Sequence, residues 1–281
     1  FQMKPARPIV FLFTILLLLS QCAPKNDFTG LVNVMVGTDF HGHTFPGATL
    51  PHGMVQLSPD TRTETWDGCA GYHYSDSSIL GFSHIHYSGV GSGGGADILL
   101  MPTVGEIQIN PGDPADTKSG YRAAFSHGDE KAEAGYYSVK LEDDISVELT
   151  ATNRVGFHKY TFHSAETGNI ILNLVHGIND KIDSLYLNVV SDTKIEGFRH
   201  CHAGLDGNRT IFFVAEFSQP ITGFGIYKND SLLENTTSAG GKNIKAHFSF
   251  DTQKNKEVLV KVALSRVDFE GAGKNLAAEI S

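Results

Sequence analysis

Residues 136–162 read YYSVKLEDDISVELTATNRVGFHKYTF and contain three short segments in which apolar and polar side chains alternate. In the first segment Tyr137, Val139 and Leu141 are separated by single polar residues. Successive side chains of a β-strand point to opposite faces, so this alternation is typical of a strand with one buried face. The run therefore predicts three strands joined by short turns, namely Tyr136–Leu141, Ser146–Thr150 and Val155–Phe162.

The same pattern continues on both sides of this run. Apolar segments are separated by turn clusters rich in Gly, Pro, Asn and Ser, such as residues 110–114 and 238–241. We therefore predict an all-β fold, a large antiparallel β-sandwich (a supersandwich) that occupies residues 31–269. The other predicted strands are Leu31–Val36, Met54–Leu57, Ile98–Met101, Glu106–Ile109, Asn169–Val175, Arg209–Phe217, Ile244–Phe250 and Val258–Leu264.

The composition limits the possible classes of protein. The chain has 281 residues, of which 41% are hydrophobic, so it can bury a full core and extensive disorder is excluded. With 22 Lys and Arg against 31 Asp and Glu, its net charge is −9. An acidic chain lacks the basic face that a nucleic-acid binder needs, so no nucleic-acid partner is expected.

The N-terminal segment has the features of an export signal. Met3 is the expected start, and basic residues are followed by the apolar run Ile9–Leu19, which is too short to span a membrane. Cys22 stands shortly after this run and is predicted to be lipidated, as in bacterial lipoproteins. Residues 1–21 are thus predicted to be a signal peptide and residues 22–30 a tether.

These features predict an exported lipoprotein of the outer membrane or cell surface. If it is not located there, the protein is expected to be periplasmic. The alternative is an ordinary cleaved signal followed by an incidental cysteine. The two remaining cysteines, Cys69 and Cys201, are too few for a disulfide framework and are expected to be buried thiols.

The C-terminal residues 270–281 begin a helical pattern at Lys274 and have no helix-ending signal. They are expected to be the start of a linker to a further domain that the chain lacks.

Histidine is concentrated between residues 41 and 86, which hold six of the thirteen histidines together with the single Trp66. His41 and His43, and likewise His84 and His86, have the two-residue spacing that metals use, but no acidic residue follows either pair closely, so no metal site is predicted with these residues.

Two further kinds of site are also disfavoured in this region. Residues 89–94 fit a nucleotide-loop pattern, but a strand rather than a helix follows them, so no phosphate cradle is expected. Ser88 follows His86 closely, yet the glycine pattern of a serine nucleophile is missing. The aromatic and polar residues of this region fit a carbohydrate site best, because sugars need an aromatic platform and hydrogen-bonding groups for their hydroxyls.

Several ordered motifs make the chain similar to glycoside hydrolase family 92. They are Val36-Gly-Thr38, His41-Gly-His-Thr-Phe-Pro-Gly-Ala48, Pro51-His-Gly-Met-Val-Gln-Leu-Ser-Pro-Asp60, Ala70-Gly-Tyr72, Gly81-Phe-Ser-His-Ile-His-Tyr-Ser-Gly89, Gly135-Tyr-Tyr-Ser-Val139, Leu149-Thr-Ala-Thr152 and Arg154-Val-Gly-Phe-His158.

The resemblance implies an exo-acting α-mannosidase, calcium-dependent and inverting, that acts on mannose-containing glycans of glycoproteins, with α-1,2 linkages expected. The family joins an N-terminal β-sandwich to a C-terminal (α/α)6 barrel, with the active site between them. The barrel supplies the catalytic acid and base, so no catalytic residue is expected in this chain, and calcium is expected to bind mostly or wholly outside it. On its own the chain is expected to be inactive.

On this resemblance the sandwich contributes the aromatic and polar wall of the mannose pocket. The expected substrate-binding residues are Trp66, Asp67, His84, His86, Phe45 and Ser88. The alternative function is a stand-alone, non-catalytic carbohydrate-binding or adhesion lipoprotein.

Overall fold

The computed structural model of the protein describes residues 28–204 and 207–280. The predicted signal peptide and Cys22 lie outside these residues. Residues 28–32 belong to a unit separate from the strands and contain a single 3-10 turn, Thr29–Leu31. The second unit begins at Asn33 and contains the strands.

The strands of the described residues are antiparallel to their neighbours. In chain order they are β1 (Ala48–Thr49), β2 (Gln56–Asp60), β3 (Ser78–Ile79), β4 (Gly81–Ser83), β5 (Leu99–Val104), β6 (Ala123–Glu133), β7 (Tyr136–Leu141), β8 (Ile145–Ala151), β9 (Val155–Phe162), β10 (Thr167–Asn173), β11 (Lys181–Ser191), β12 (Lys194–Ala203), β13 (Gly207–Phe217), β14 (Gly223–Lys228), β15 (Ser231–Leu233), β16 (Ser238–Gly241), β17 (Ile244–Asp251) and β18 (Glu257–Ser265).

Two large sheets are formed from these strands. One has eight strands in the order β1-β2-β4-β5-β10-β17-β14-β15, and the other has ten in the order β16-β11-β12-β13-β18-β9-β8-β7-β6-β3. Buried side chains of both sheets join in one hydrophobic core. The predicted all-β antiparallel sandwich is confirmed.

The alternating segments form strands as predicted, and their apolar faces are buried. Strands β7 and β9 have the predicted bounds, and Tyr137, Val139 and Leu141 are buried. Burying such side chains contributes about 1.5–3 kcal/mol each, which stabilises the sandwich.

Two predicted strands are wrong. Residues 31–36 contain the end of a 3-10 turn and a hydrogen-bonded turn in which the Val36 amide donates to the carbonyl of Asn33. Residues 106–109 are irregular and follow Gly105, whose positive φ of 78° ends β5. Short apolar runs resemble strands, but without a neighbouring strand they do not extend a sheet.

Several strands were not predicted, most clearly β6, β11 and β12. The inward-facing positions of β12 include glycine, arginine, cysteine and alanine, and the pairings of β6 and β11 contain register shifts. A β-bulge adds one residue and breaks the two-residue alternation, so the apolar pattern is lost.

A helix, α1 (Phe269–Glu279), follows the last strand and starts earlier than Lys274, the predicted position. The carboxylate of Asp268 accepts a hydrogen bond from the Gly271 amide at 2.6 Å and caps the helix. Ala272 and Leu276 are buried against the sheet. Gly271 and Gly273 lower the helix propensity of this turn, so the start was missed.

No helix within residues 28–204 and 207–280 is long and apolar enough to cross a bilayer.

Candidate functional site

Trp66 lies at the start of a 3-10 helix, Trp66–Ala70, and the residue is 54% exposed to solvent. Its indole N–H donates a hydrogen bond to the carbonyl of Gly91 at 3.0 Å. A Cβ at position 91 would lie 2.6 Å from the indole nitrogen, so glycine is required for this close approach. The bond holds the ring in one orientation while leaving much of it open to solvent.

Two histidines pack on the indole. The ring centroid of His41 lies 5.0 Å from that of Trp66, and the ring of His43 makes an edge contact at 4.3 Å. His43 is only 7% exposed, and its ring nitrogens have no hydrogen-bond partner among the described residues. His43 therefore acts as an aromatic support beneath Trp66.

Asp67 is hydrogen-bonded to the exposed His41, with a distance of 2.6 Å between Oδ1 and Nδ1. This hydrogen bond lowers the pKa of the Asp67 carboxyl below its usual value. Its other oxygen, Oδ2, has no hydrogen bond among the described residues. An ionised carboxylate with a free oxygen thus stands next to an exposed indole.

Ser88 is exposed and belongs to the same surface. The next residue, Gly89, donates its amide to the carbonyl of His43 at 2.6 Å. The structure therefore brings Trp66, Asp67 and Ser88 together with His41 and His43, and these five residues are called the Trp66 patch below. From the sequence, His41 and His43 were noted only for a spacing that metal ligands use, and they were not predicted to bind substrate.

His86 lies behind this surface and is buried. Its Nε2 lies 2.8 Å from Oδ1 of Asp60, and its Nδ1 lies 2.8 Å from the carbonyl oxygen of Gln56. A carbonyl and a carboxylate only accept hydrogen bonds, so each ring nitrogen of His86 faces an acceptor, and the Ser83 hydroxyl also lies 3.1 Å from Nε2. His86 is therefore the buried partner of a carboxylate.

Asp60 is held by two imidazoles, because His176 contacts its other oxygen at 2.8 Å. Burial raises the pKa of Asp60, but the charge of His86 and the hydrogen bond from His176 outweigh burial and lower it below its usual range. Half-buried Phe45 packs on the His86 ring, with centroids 5.3 Å apart. Phe45 and His86 thus lie together, with Phe45 nearer the surface.

His84 was expected in the pocket wall, but the structure encloses it completely. Its Nδ1 donates to the carbonyl of Ile98 at 2.7 Å, and its Nε2 accepts from Nε2 of His158 at 2.9 Å. Nδ1 of His158 accepts from the hydroxyl of Tyr160 at 2.8 Å. His84 follows β4 and His158 lies on β9, so this chain of hydrogen bonds connects the two sheets and leaves His84 no surface for a ligand.

Burial in this neutral chain lowers the pKa of His84 to about 4 and lowers the pKa of His158 well below its usual value. Desolvation disfavours the charged form of an imidazole, so both rings stay neutral at ordinary pH.

Among the described residues, one group of three metal-ligating side chains lies close together. It consists of Asp97, Asp180 and Cys201. The guanidinium groups of Arg199 and Arg209 already contact both carboxylates, and burial raises the pKa of the Cys201 thiol to about 11. Calcium needs six to eight oxygen ligands, so this group does not fit that ion. Cys69 and Cys201 are free and buried, as expected.

A two-sheet sandwich that presents an exposed indole beside a carboxylate defines an all-β domain with a surface suited to polar, ring-shaped ligands. A family model described as the glycosyl hydrolase family 92 N-terminal domain matches residues 31–265. The chain belongs to this family, and the resemblance noted from its motifs is confirmed.

Three related proteins extend this result. A family GH92 α-mannosidase from Bacteroides thetaiotaomicron, solved in complex with mannoimidazole, is 34% identical with a TM-score of 0.86, over 90% of this chain and 34% of that chain. A family GH92 inverting mannosidase from Bacteroides thetaiotaomicron VPI-5482 is 25% identical with a TM-score of 0.76, over 92% of this chain and 34% of that chain. A protein of Arthroderma benhamiae described as an uncharacterized secreted glycosidase is 28% identical, over 96% of this chain and 37% of its own length. The chain thus spans about a third of the length of these relatives.

Proposed function

We propose that this chain is the N-terminal domain of an exo-acting α-mannosidase and that the Trp66 patch forms part of its mannose pocket. The observation that carries the proposal is the exposed Trp66 indole, held by the Gly91 carbonyl beside the ionised Asp67. The related α-mannosidase that binds mannoimidazole supports the sugar class.

The chemistry of the patch fits a pyranose ring. An indole face packs against the C–H groups of a sugar, while the Asp67 carboxylate accepts hydrogen bonds from hydroxyls. Because His41 already holds one oxygen of Asp67, the carboxylate is oriented before the ligand arrives. Preorganisation lowers the entropy that is lost on binding.

The finer features of the activity are part of the same proposal. Inverting hydrolysis needs an acid and a base about 6.5–9.5 Å apart, and these carboxylates would come from residues outside this chain. Calcium would likewise be bound there, since the described carboxylates of this chain do not form a suitable cage. The expected substrates are α-1,2-linked mannosides of glycoproteins, and the chain alone would not hydrolyse them.

Replacing Trp66 with alanine in the complete enzyme tests the pocket. We expect a loss of about 1–2 kcal/mol of transition-state binding, roughly a tenfold fall in kcat/KM, because stacking is lost. The melting temperature should stay nearly unchanged, since half of the side chain is already exposed. Asp67→Asn should also lower kcat/KM, because a charge-assisted hydrogen bond to a sugar hydroxyl is lost.

Phe224→Ala is a matched control, because Phe224 is a partly exposed aromatic residue on β14, outside the patch. Its kinetic constants should equal those of the unaltered enzyme. If Trp66→Ala lowers the melting temperature strongly while folded molecules keep full kcat/KM, the residue supports the fold and the proposal fails.

We further propose that the protein is exported and anchored through Cys22. Changing Cys22 to alanine is expected to move the complete protein from the membrane fraction to the soluble fraction and to abolish incorporation of labelled fatty acid. The wild-type and variant proteins would be compared after cell fractionation. Anchoring that persists in the variant contradicts lipidation at this residue, and Cys69→Ala serves as the control.

A further inference from the structure

A cavity of about 290 Å³ lies apart from the residues of the Trp66 patch. Its lining combines charged groups with hydroxyls. The lining includes Arg62, Glu64, Asp76 and Arg122 together with the hydroxyls of Thr65, Ser75 and Ser77. Known pockets for drug-sized ligands hold about 300–1,000 Å³, so this one suits a single small ring.

Arg122 is the unusual member of this lining. Arg122 is only 7% exposed, and the one hydrogen bond that its guanidinium makes among the described residues runs from Nη1 to the Ser78 hydroxyl at 3.0 Å. The buried Nε of Arg122 has no hydrogen-bond partner among the described residues. No described carboxylate lies within ion-pair distance of the guanidinium. By contrast, buried Arg199 contacts the carboxylates of both Asp97 and Asp180.

The acidic residues of the cavity, Glu64 and Asp76, act on the charge of Arg122 only at a distance, and neither forms an ion pair with it. Asp76 accepts from Arg62 Nε at 2.7 Å through one oxygen and from Arg62 Nη2 through the other, so its charge is already paired. Thr61 also donates to Asp76, at 2.7 Å. Glu64 is exposed and forms no ion pair among the described residues. The cavity thus contains one guanidinium whose charge is not paired.

A buried charge is costly unless it is paired, and burial indeed lowers the pKa of Arg122. Arginine nevertheless stays protonated in proteins, so the group needs an anion rather than the loss of a proton.

We propose that this cavity binds a hydroxylated monocarboxylate, such as a uronic acid, with its carboxylate on Arg122. A single negative charge matches the single unpaired guanidinium, whereas the second charge of a dianion would find no unpaired cation in the lining and would be repelled by Glu64. The hydroxyls of Thr65, Ser75 and Ser77 suit the ring hydroxyls of a sugar. The lining shares no residue with the Trp66 patch, although Thr65 directly precedes Trp66, so variants of Arg122 and of Trp66 test the two proposals separately.

The unaltered chain provides the first test, by calorimetric titration with four probes. D-glucuronate carries both chemical features, its methyl ester and glucose lack the charge, and acetate lacks the hydroxyls. We expect glucuronate to bind roughly tenfold or more tightly than each of the others, because a charge-assisted contact is added to neutral ones. Equal binding of glucuronate and its methyl ester, or of glucuronate and acetate, overturns the proposal, as does no binding of glucuronate.

Variants then assign the contact to Arg122. Arg122→Gln should abolish the preference for glucuronate over its ester. Glu64→Gln should strengthen glucuronate binding, since a like charge is removed, and this variant remains informative if Arg122→Gln does not fold. Arg266→Gln removes the same charge at an exposed position outside the lining and should change nothing. If Glu64→Gln weakens binding, the Glu64 carboxylate favours the ligand instead of repelling it, and the proposed placement of the ligand's negative charge is overturned.

Discussion

Replacing Arg199 with methionine is expected to lower the free energy of unfolding by about 3–5 kcal/mol. Arg199 is fully buried, and its Nη1 lies 2.9 Å from Asp97 Oδ1 and 2.6 Å from Asp180 Oδ2. Nη2 donates to Asp180 at 2.9 Å, and Nε donates to the carbonyl of Leu174 at 3.0 Å. Methionine fills much of the volume but leaves two buried carboxylates with Arg209 as their remaining partner.

Urea unfolding of the chain at neutral pH measures this loss. Lys194→Met is the matched control, because Lys194 pairs with Glu216 on the same strand pair at the surface. Exposed ion pairs contribute about 0–1 kcal/mol, so the control should stay within that range. Equal effects of the two substitutions contradict the view that burial makes the Arg199 contacts indispensable.

Acid is expected to destabilise the domain between about pH 6.5 and pH 4, through His84 and His158. Both rings have a folded-state pKa below their usual value, and that of His84 is about 4. In this window the unfolded chain binds protons that the folded chain does not, so stability rises with pH and falls on acidification. Each such group contributes about 1.4 kcal/mol per pH unit, which for His84 alone amounts to about 3 kcal/mol.

Asp60 affects the stability of the domain in a different pH range. Its folded-state pKa is lowered below 3.8, so its contribution is complete above that value and is lost only as the pH falls further. The slope between pH 6.5 and pH 4 therefore reports the neutral histidines rather than this carboxylate.

Urea unfolding at a series of pH values tests the slope. His158→Gln should reduce the slope of the free energy of unfolding against pH by the contribution of about one proton, because one of the imidazoles of His84 and His158 is removed. The exposed His163, which contacts Ser146, gives the control variant His163→Gln, whose slope should match that of the unaltered protein. Parallel curves for His158→Gln and the unaltered protein would show that the buried pair does not titrate in this range.

Much of the sandwich could be predicted from local sequence pattern. The alternation in β7 and β9 is a property of neighbouring residues, and the side-chain direction of a strand follows from its backbone geometry. Strands with register shifts, such as β6 and β11, were harder to predict because an odd number of extra residues on one strand, three in β6 and one at each shift in β11, reverses the alternation.

The Trp66 patch could be predicted only in part. Trp66 and Asp67 were assigned to the pocket wall on the resemblance to glycoside hydrolase family 92, and a tryptophan beside an acidic residue also suits a sugar site chemically. His41 was not assigned to the site, since its partner Asp67 is 26 residues away and no local pattern connects them.

The sequence by itself determined the fold class, the family and the kinds of side chain available for a site. Only the tertiary structure decided which histidines face solvent. His84 and His86 share one motif with Ser88, yet His84 pairs with His158, 74 residues away, and His86 with Asp60, 26 residues away, while Ser88 is exposed. Strand periodicity depends on adjacent residues, whereas the partner of a buried polar group depends on which distant strand crosses it, and that is set by the packing of the two sheets.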